Sequence, residues 1–343
     1  MSRFVAIANQ KGGVGKTTTT INLAASLARL GHRILVLDMD PQGNSSSGLG
    51  IQGNHSKKGV YEVLLGQIAF DEAVCPSVFP GIDVLPSGQK LSGAEVELVS
   101  FLEREKILSN ALLLVRERYD FIFADCPPSL GLLTINTLTA ADSVLIPIQS
   151  EYYALEGLTQ LLNTIQLVQR SLNRELEIEG ILLTMFDARL NLSQQVADEA
   201  RKFFEGRVYD TYIPRNVRLS EAPSFGIPAI QYDEESSGSR SYLALADEFL
   251  SRRQKAESET GQAPVETLSE DEGRSRLSEA VAHQPTPLPV STPKPPEGVP
   301  PPARPSEGEA EVENENSGSP SPAGEEIQTN HVQPTKEEVV NHE

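Results

Sequence analysis

Short apolar runs alternate with amphipathic stretches through most of the chain before residue 253. The runs predict buried strands at residues 4–8, 33–38, 81–86, 119–125, 143–148, 178–185 and 208–213. The stretches predict helices at residues 21–28, 132–140, 155–172, 193–204 and 239–250. Strands that alternate with helices favour a mostly parallel, twisted sheet with helices on both faces. The pattern therefore predicts an α/β fold.

The region between the second and fourth predicted strands is harder to interpret. Residues 60–65 and 70–74 look like short helices. A long helical pattern then covers residues 92–118, broken once if at all.

Composition changes sharply near the end of this pattern. From Lys255 onward there are no aromatic residues, 14 of the 24 prolines, and 18 acidic against 6 basic residues, a net charge of −12. Such a segment buries too little apolar surface to offset the entropy lost on ordering. We therefore predict an ordered domain over residues 1–253, and a disordered acidic tail rich in Pro, Glu and Ser over residues 254–343.

The chain has two cysteines, Cys75 and Cys126, without the spacing of a disulfide framework or zinc site. We see no N-terminal signal segment and no apolar run as long as the ~18 residues needed to span a bilayer. A cytoplasmic protein with reduced thiols is expected.

A glycine-rich loop, residues 10–18, joins the first predicted strand to the first predicted helix. A phosphate-binding loop needs glycines that let backbone N–H groups turn inward, and a helix N-terminus that favours anions. It also needs a lysine for the β- and γ-phosphates and a hydroxyl for Mg²⁺, which Lys16 and Thr17 supply. The predicted nucleotide contacts are Lys11, Gly12, Gly13, Val14, Gly15, Lys16, Thr17 and Thr18.

The loop departs from the usual Walker A pattern, because Gln10 stands where that pattern has its first glycine. The sequence Lys-Gly-Gly-Val-Gly-Lys-Thr-Thr, with a second lysine at Lys11, is the deviant Walker A form. The alternative, a glycine-rich turn with two solvated lysines, would not require the flanking strand and helix.

Carboxylates follow two other predicted strands. Asp38 and Asp40 lie at the end of the second, and Asp125 ends the run at 119–125 in the Walker B arrangement, where a carboxylate orients Mg²⁺ directly or through water. Ligands of open α/β sheets bind at the carboxyl ends of strands, so Asp40 is placed to reach the phosphate loop. A simple loop-capping role is the alternative for Asp40.

Residues 3 to about 252 resemble the ParA/Soj family of partitioning ATPases, which are P-loop NTPases. The resemblance rests on five blocks in one order, at residues 9–19, 38–43, 125–136, 151–158 and 213–223. It implies that two subunits sandwich two ATP molecules and that Lys11 reaches the partner's nucleotide, much as an arginine finger does. Lys16 and Thr17 would act within one subunit, and Asp40 would position the attacking water.

The resemblance also assigns two binding regions. Pro214 and Asn216 match the adenine-side loop, although such a stretch can also be only a turn. Family members bind DNA non-specifically in the ATP state, and residues 1–254 have a net charge of −7, so a local basic patch is required. Arg189 and Arg218 match DNA-binding positions, or are ordinary solvated charges. Further cations that could add to the patch are Arg201, Lys202 and Arg207.

The implied function is slow ATP hydrolysis, stimulated by a ParB-type partner, that drives chromosome or plasmid segregation on the nucleoid. A role in replication initiation and the positioning of another cargo are alternatives within the family. A membrane-associated division ATPase would need a basic amphipathic C-terminal helix, and a related tyrosine kinase would need a C-terminal tyrosine cluster. An iron–sulfur ATPase would need cysteines that ligate a cluster, and the sequence around Cys75 does not match such a ligand. A scaffold that binds ATP without hydrolysing it would not need Asp40 and Asp125.

Overall fold

The computed structural model describes residues 2–51, 58–151 and 156–260. In this part of the chain, seven strands form one sheet: β1 (Arg3–Ile7), β2 (Ile34–Asp38), β3 (Cys75–Pro76), β4 (Ile82–Leu85), β5 (Phe121–Asp125), β6 (Ser143–Gln149) and β7 (Glu177–Thr184). Their order is β3-β4-β2-β5-β1-β6-β7. Every pairing is parallel except that of the short β3 with β4. The predicted fold class is confirmed.

Helices cover both faces of this sheet. They are α1 (Lys16–Arg29), α2 (Asn44–Gly48), α3 (Val60–Leu64), α4 (Phe70–Ala73), α5 (Leu91–Glu97), α6 (Ile107–Leu112), α7 (Leu132–Ala140), α8 (Glu156–Ser171), α9 (Asn191–Phe203), α10 (Val217–Glu221), α11 (Ala229–Tyr232) and α12 (Ser237–Thr260). In β1, Phe4 and Ala6 join one core while Val5 and Ile7 join the other. Burial on both faces explains why the central strands are apolar without alternation.

The predicted long helix at 92–118 is wrong. Between α5 and α6 the chain makes separate 3₁₀ turns at Leu98–Ser100 and Arg104–Lys106, and another turn follows at Arg116–Arg118. Glu103 lies in the left-handed region, with φ 49°, which a helix cannot contain. Val96, Val99 and Leu102 are exposed, so the apolar residues do not define one buried face.

The strand predicted at residues 208–213 is also wrong. Val208 makes an isolated bridge to Ile181 on β7, and the backbone N–H groups of Tyr209 and Ile213 donate to carbonyl oxygens of β7 at 2.9 Å. Between these two contacts the N–H groups of Asp210 and Thr211 donate to the Glu248 carboxylate on α12, at 2.9 and 2.8 Å. The pairing with β7 is therefore interrupted, and no continuous strand forms. The short β3 was not predicted at all.

The last helix continues to Thr260, past the domain end predicted at residue 253. Residues 261–343, which make up most of the predicted tail, lie outside the described part of the chain. Residues 152–155, in the family block at 151–158, also lie outside it. Within the described residues, no helix combines the length and apolar character needed to cross a membrane.

Phe249 anchors α12 to the sheet, and its removal should be costly. Its ring lies 5.4 Å from that of Phe121 and 6.1 Å from that of Phe123, and it is fully buried. We expect Phe249→Ala to lower the free energy of unfolding by about 3–5 kcal/mol, measured by urea denaturation. Leu102→Ala, at a side chain 95% exposed, is the control and should change it by under about 0.5 kcal/mol. Equal effects would contradict the packing described.

Candidate active site

Three neighbouring strands end at one edge of the sheet and bring the candidate residues together. β5 lies between β1 and β2, with Asp125 beside Ile7 on one side and Asp38 on the other. The phosphate loop leaves β1 at the same edge. The sequence spacing alone does not give this side-by-side order, which comes from the crossovers.

The phosphate loop has the backbone that its glycines predict. Gly13 and Gly15 have φ values of 74° and 88°, where a residue with a Cβ would be strained. Thr184 supports the loop from β7, because its hydroxyl lies 2.8 Å from the carbonyl oxygen of Val14. Gly12, Val14 and Thr18 follow the same turn into α1.

The Lys16 side chain folds back over the loop. Its Nζ donates to the carbonyl oxygen of Lys11 at 3.2 Å, and the residue is buried. Burial lowers the pKa of Lys16, and the nearby charges of Asp125 and Asp40 partly oppose that shift. A buried ammonium that donates to its own loop is placed to donate to phosphate oxygens instead.

Asp125 is fully buried and only partly satisfied. Its Oδ2 accepts from the Ser45 hydroxyl at 2.7 Å, while its Oδ1 is buried without a hydrogen-bond partner among the described residues. The Thr17 hydroxyl is close enough to lower the Asp125 pKa by hydrogen bonding. An orphaned carboxylate oxygen beside a threonine hydroxyl suits a hydrated Mg²⁺, which takes most of its ligands from phosphates and water.

No cluster of three or more His, Cys, Asp or Glu side chains that could hold a metal occurs within the described ranges.

Asp38 and Asp125 form a buried pair of carboxylates that the sequence analysis did not identify. Burial, and after it repulsion from Asp125, raises the pKa of Asp38 to about 7. Burial raises the pKa of Asp125 to about 6, and the hydrogen bond from Ser45 and the nearby Thr17 hydroxyl oppose this shift. Two carboxylates side by side in the sheet therefore resist ionising together.

Asp40 lies close to the same groups. Its Oδ1 accepts from the backbone N–H of Gln42 at 2.9 Å, so the loop-capping role exists. Its charge also acts on both Asp125 and Lys16. The structure thus brings four predicted site residues close together: Lys16, Thr17, Asp40 and Asp125.

A cavity of about 590 Å³ joins the phosphate loop to the predicted base-side loop, and Thr17 is the member of this group that lines it. Gly15, Thr17 and Thr18 line one end, and Pro214 and Asn216 line another. The Asn216 side chain caps α10, accepting from the N–H of Arg218 at 2.9 Å, and it donates to Ser237 at 2.7 Å. The volume lies in the range of nucleotide-sized pockets.

Lys11 does not line this cavity. Its Nζ lies 3.1 Å from Oε2 of Glu151, with 35% of the lysine side chain exposed and 50% of the glutamate. The second lysine of the loop is therefore held at the surface in an ion pair, whereas Lys16 is buried.

The predicted DNA-binding arginines have different surroundings. Arg189 is 88% exposed and pairs with Asp187 at 2.7 Å, which holds the pKa of Asp187 at about 2. Arg218 pairs with Glu221 at 2.8 Å and with Asp233 at 3.1 Å. The charge of Arg215, a cavity residue, acts on Asp187, so this arginine lies near Arg189.

The other candidate cations have surroundings of their own. Arg201 pairs with Asp198 at 3.5 Å, and Arg207 donates to the carbonyl oxygen of Ile178 at 2.9 Å. Lys202 is exposed at the end of α9.

Comparison with known proteins agrees with this arrangement. Residues 2–178 match a family model described as an AAA domain. The chain is 56% identical over 248 residues to the sporulation initiation inhibitor protein Soj of Bacillus subtilis, covering 72% of this chain and 98% of that protein. It is 55% identical over 252 residues to the chromosome partitioning protein ParA of Myxococcus xanthus, covering 74% of this chain and 89% of that protein.

A solved structure is similar as well. It is that of cobyrinic acid a,c-diamide synthase from Mycobacterium smegmatis, with a bound ATP analogue and magnesium. The two chains are 36% identical, the TM-score is 0.66, and the match covers 75% of this chain and 97% of that one.

The buried carboxylate pair predicts a pH-dependent stability. The pKa of Asp38 is higher in the folded state than in the unfolded state, so its protonated form contributes to the free energy of unfolding. This contribution is complete below about pH 4 and is lost as the pH rises through the folded pKa of about 7. Asp38→Asn cannot ionise and escapes this loss. We expect the stability of the variant, relative to wild type, to improve by at least about 1 kcal/mol between pH 5 and pH 8 in urea titrations without nucleotide.

Ser26→Ala is the control for this prediction, because it removes a buried hydroxyl that bonds within α1 and does not titrate. Its effect should be the same at both pH values. A difference for Asp38→Asn that does not vary with pH would show that the carboxylate ionises freely in the fold.

Proposed function

The chain belongs to the ParA/Soj family of partitioning ATPases, and from this we propose that it is an ATP-gated, DNA-binding switch in chromosome or plasmid segregation. The single observation that carries the proposal is the cavity shared by the phosphate loop and the Pro214–Asn216 loop. Its volume is that of a nucleotide-sized pocket, and Thr17, whose hydroxyl lies close to Asp125, lines its phosphate end.

In this proposal the chain binds ATP together with Mg²⁺. The backbone N–H groups of the phosphate loop and Nζ of Lys16 hold the phosphates. Thr17 and Asp125, whose Oδ1 has no hydrogen-bond partner among the described residues, would hold the metal, directly or through water. The metal, when bound, offsets the charge that develops on the transferred phosphoryl group.

Asp40 positions the attacking water in the proposed hydrolysis. Its charge acts on both Asp125 and Lys16, so the carboxylate lies close to both groups. Because the loop from Asp38 to Gly43 is tied to the sheet, the carboxylate has few orientations available. Turnover by the chain alone should be slow, since a switch that times release of DNA gains nothing from rapid catalysis.

Lys11 completes the site of a second subunit in an ATP-dependent homodimer. It lies on the surface beside the loop, where its Nζ donates to the Glu151 carboxylate. An exposed ion pair contributes only about 0–1 kcal/mol, so Lys11 can leave Glu151 at little cost when a partner's phosphates approach.

DNA binding is assigned to the exposed surface around Arg189. Arginine contacts to phosphates would give affinity that is sensitive to salt and indifferent to sequence. Arg218 is the weaker candidate, because two carboxylates already surround it. Arg215, near Arg189 and at the cavity edge, is a more suitable neighbour.

The remaining parts of the proposal come from the family. The partner that stimulates hydrolysis is a ParB-type protein, the protein acts on the nucleoid in the cytoplasm, and replication initiation is a further process that it regulates. The segregation of another cargo is the alternative if double-stranded DNA is not bound.

The two lysines of the loop predict separable defects. Lys16→Ala removes a buried charge-assisted contact, and we expect ATP affinity to fall by roughly 10- to 100-fold. Lys11→Ala should keep ATP affinity within about threefold and lose ATP-dependent dimerisation, since Lys11 is partly exposed and paired with Glu151 at the surface of its own subunit. Calorimetry with ATP and Mg²⁺ measures the first property, and light scattering measures the second.

Glu151→Gln is the matched control, because it frees Lys11 without changing its shape or that of its partner. This variant should dimerise with ATP at least as well as wild type. If Lys11→Ala lost ATP affinity as severely as Lys16→Ala, the role of Lys11 in a second subunit would be refuted.

Arg189→Glu tests the DNA surface. We expect wild type to retain unrelated duplex DNA only with ATP, and the variant to bind it at least about tenfold more weakly with unchanged ATP hydrolysis. Lys106→Glu carries the same charge change on the turn before α6 and should bind as wild type does. The measurement is DNA retention without nucleotide, with ADP and with ATP, at two salt concentrations.

Two outcomes would count against this assignment. Equal loss in both variants would indicate a general charge effect, not a local surface. Absence of wild-type binding in every nucleotide state would favour another cargo.

A further inference from the structure

Two consecutive serines on α2 each bond a different buried aspartate. Ser45 Oγ donates to Oδ2 of Asp125 at 2.7 Å. Ser46 Oγ donates to Oδ2 of Asp38 at 2.6 Å, and the Ser46 backbone N–H donates to the same oxygen at 2.7 Å. Both serines are buried. One turn of helix is thus fixed to the ends of both β5 and β2.

Asp38 also fixes the start of the loop that carries Asp40. The backbone N–H of Asp40 lies 3.3 Å from Oδ1 of Asp38. At the other end of this loop the chain turns at Gly43, whose φ of 66° lets it enter α2. The segment that carries Asp40 is therefore held before it by Asp38 and after it by the serine pair.

A third strand takes part through Ser87, which follows β4. Its backbone N–H donates to Oγ of Ser46 at 3.0 Å. A Cβ added at Gly43 would lie 3.3 Å from the carbonyl oxygen of Ser87, so α2 has little room to shift toward this strand. Ser46 is accordingly the point at which α2, β2 and the end of β4 meet.

We propose that Ser45 and Ser46 are positioning residues that couple the metal side of the site, at Asp125, to the placement of Asp40. Ser45 fixes the orientation of the Asp125 carboxylate by occupying Oδ2, and Oδ1, without a partner among the described residues, is the oxygen that would help to hold Mg²⁺. Ser46 fixes Asp38, and through it the loop that holds Asp40. The proposal rests on the proposed function, in which Asp40 positions the attacking water.

The two serines should therefore fail in different ways. Loss of the Ser45 hydroxyl frees the Asp125 carboxylate, so more Mg²⁺ is needed while the Asp40 loop keeps its anchor. Loss of the Ser46 hydroxyl loosens the loop, so the rate at saturation falls while nucleotide affinity is kept. If the serines only stabilised the fold, each substitution would weaken Mg²⁺ binding and nucleotide binding and lower the rate at saturation together.

The experiment compares the full chain with Ser45→Ala, Ser46→Ala and the double variant, using ATP and Mg²⁺. We expect Ser46→Ala to lower kcat by about tenfold, with the ATP dissociation constant within about twofold of wild type. Ser45→Ala should raise the Mg²⁺ concentration for half-maximal ATP binding by roughly three- to tenfold. Ser26→Ala, a buried serine bonded within α1, is the control and should leave all three values unchanged.

Amide hydrogen exchange without nucleotide gives a readout that does not depend on activity. Ser46→Ala should speed exchange across residues 40–48, and Ser26→Ala should not. Unchanged exchange in Ser46→Ala, or a parallel loss of kcat and ATP affinity, would overturn the proposal. If wild type failed to hydrolyse ATP, the proposed function would fall, and the exchange rates would still decide whether Ser46 anchors the loop.

Discussion

The side-by-side placement of Asp38 and Asp125 in the buried sheet is the constraint on which the site depends. Parallel pairing of β2 with β5 sets these residues in register at one edge. Two carboxylates in a fully buried place are unfavourable unless hydroxyls, backbone N–H groups or cations compensate them. Ser45, Ser46 and Lys16 supply that compensation, and the positions of α2 and the phosphate loop follow from it.

The compensation of the two carboxylates is incomplete at Asp125, on the side of the site proposed for Mg²⁺. Asp38 accepts from two N–H groups and one hydroxyl, whereas Asp125 keeps one oxygen without a partner among the described residues. A buried polar atom left unsatisfied costs about 1–3 kcal/mol, which a bound ion with its waters would recover. Part of the free energy of Mg–nucleotide binding thus comes from relief of this unfavourable burial in the free protein.

The sequence predicted the parts of the site that local chain order determines. The strand, glycine loop and helix around Lys16 are contiguous, and Asp125 ends an apolar run, so both could be located from pattern alone. Asp38 was noted only as a neighbour of Asp40, and Ser45 and Ser46 were not identified, because their roles depend on which strands are adjacent. The failed strand at 208–213 has the same origin, since Glu248 is remote in sequence.

The two lysines of the phosphate loop show how one short segment serves two purposes. Lys16 is buried with its charge near Asp125 and Asp40, so moving it to solvent would leave those carboxylates uncompensated. Lys11 is partly exposed and paired with Glu151, a contact that water replaces readily. The first lysine is therefore a permanent component of its own site. The second makes a contact that it can exchange at little cost in free energy.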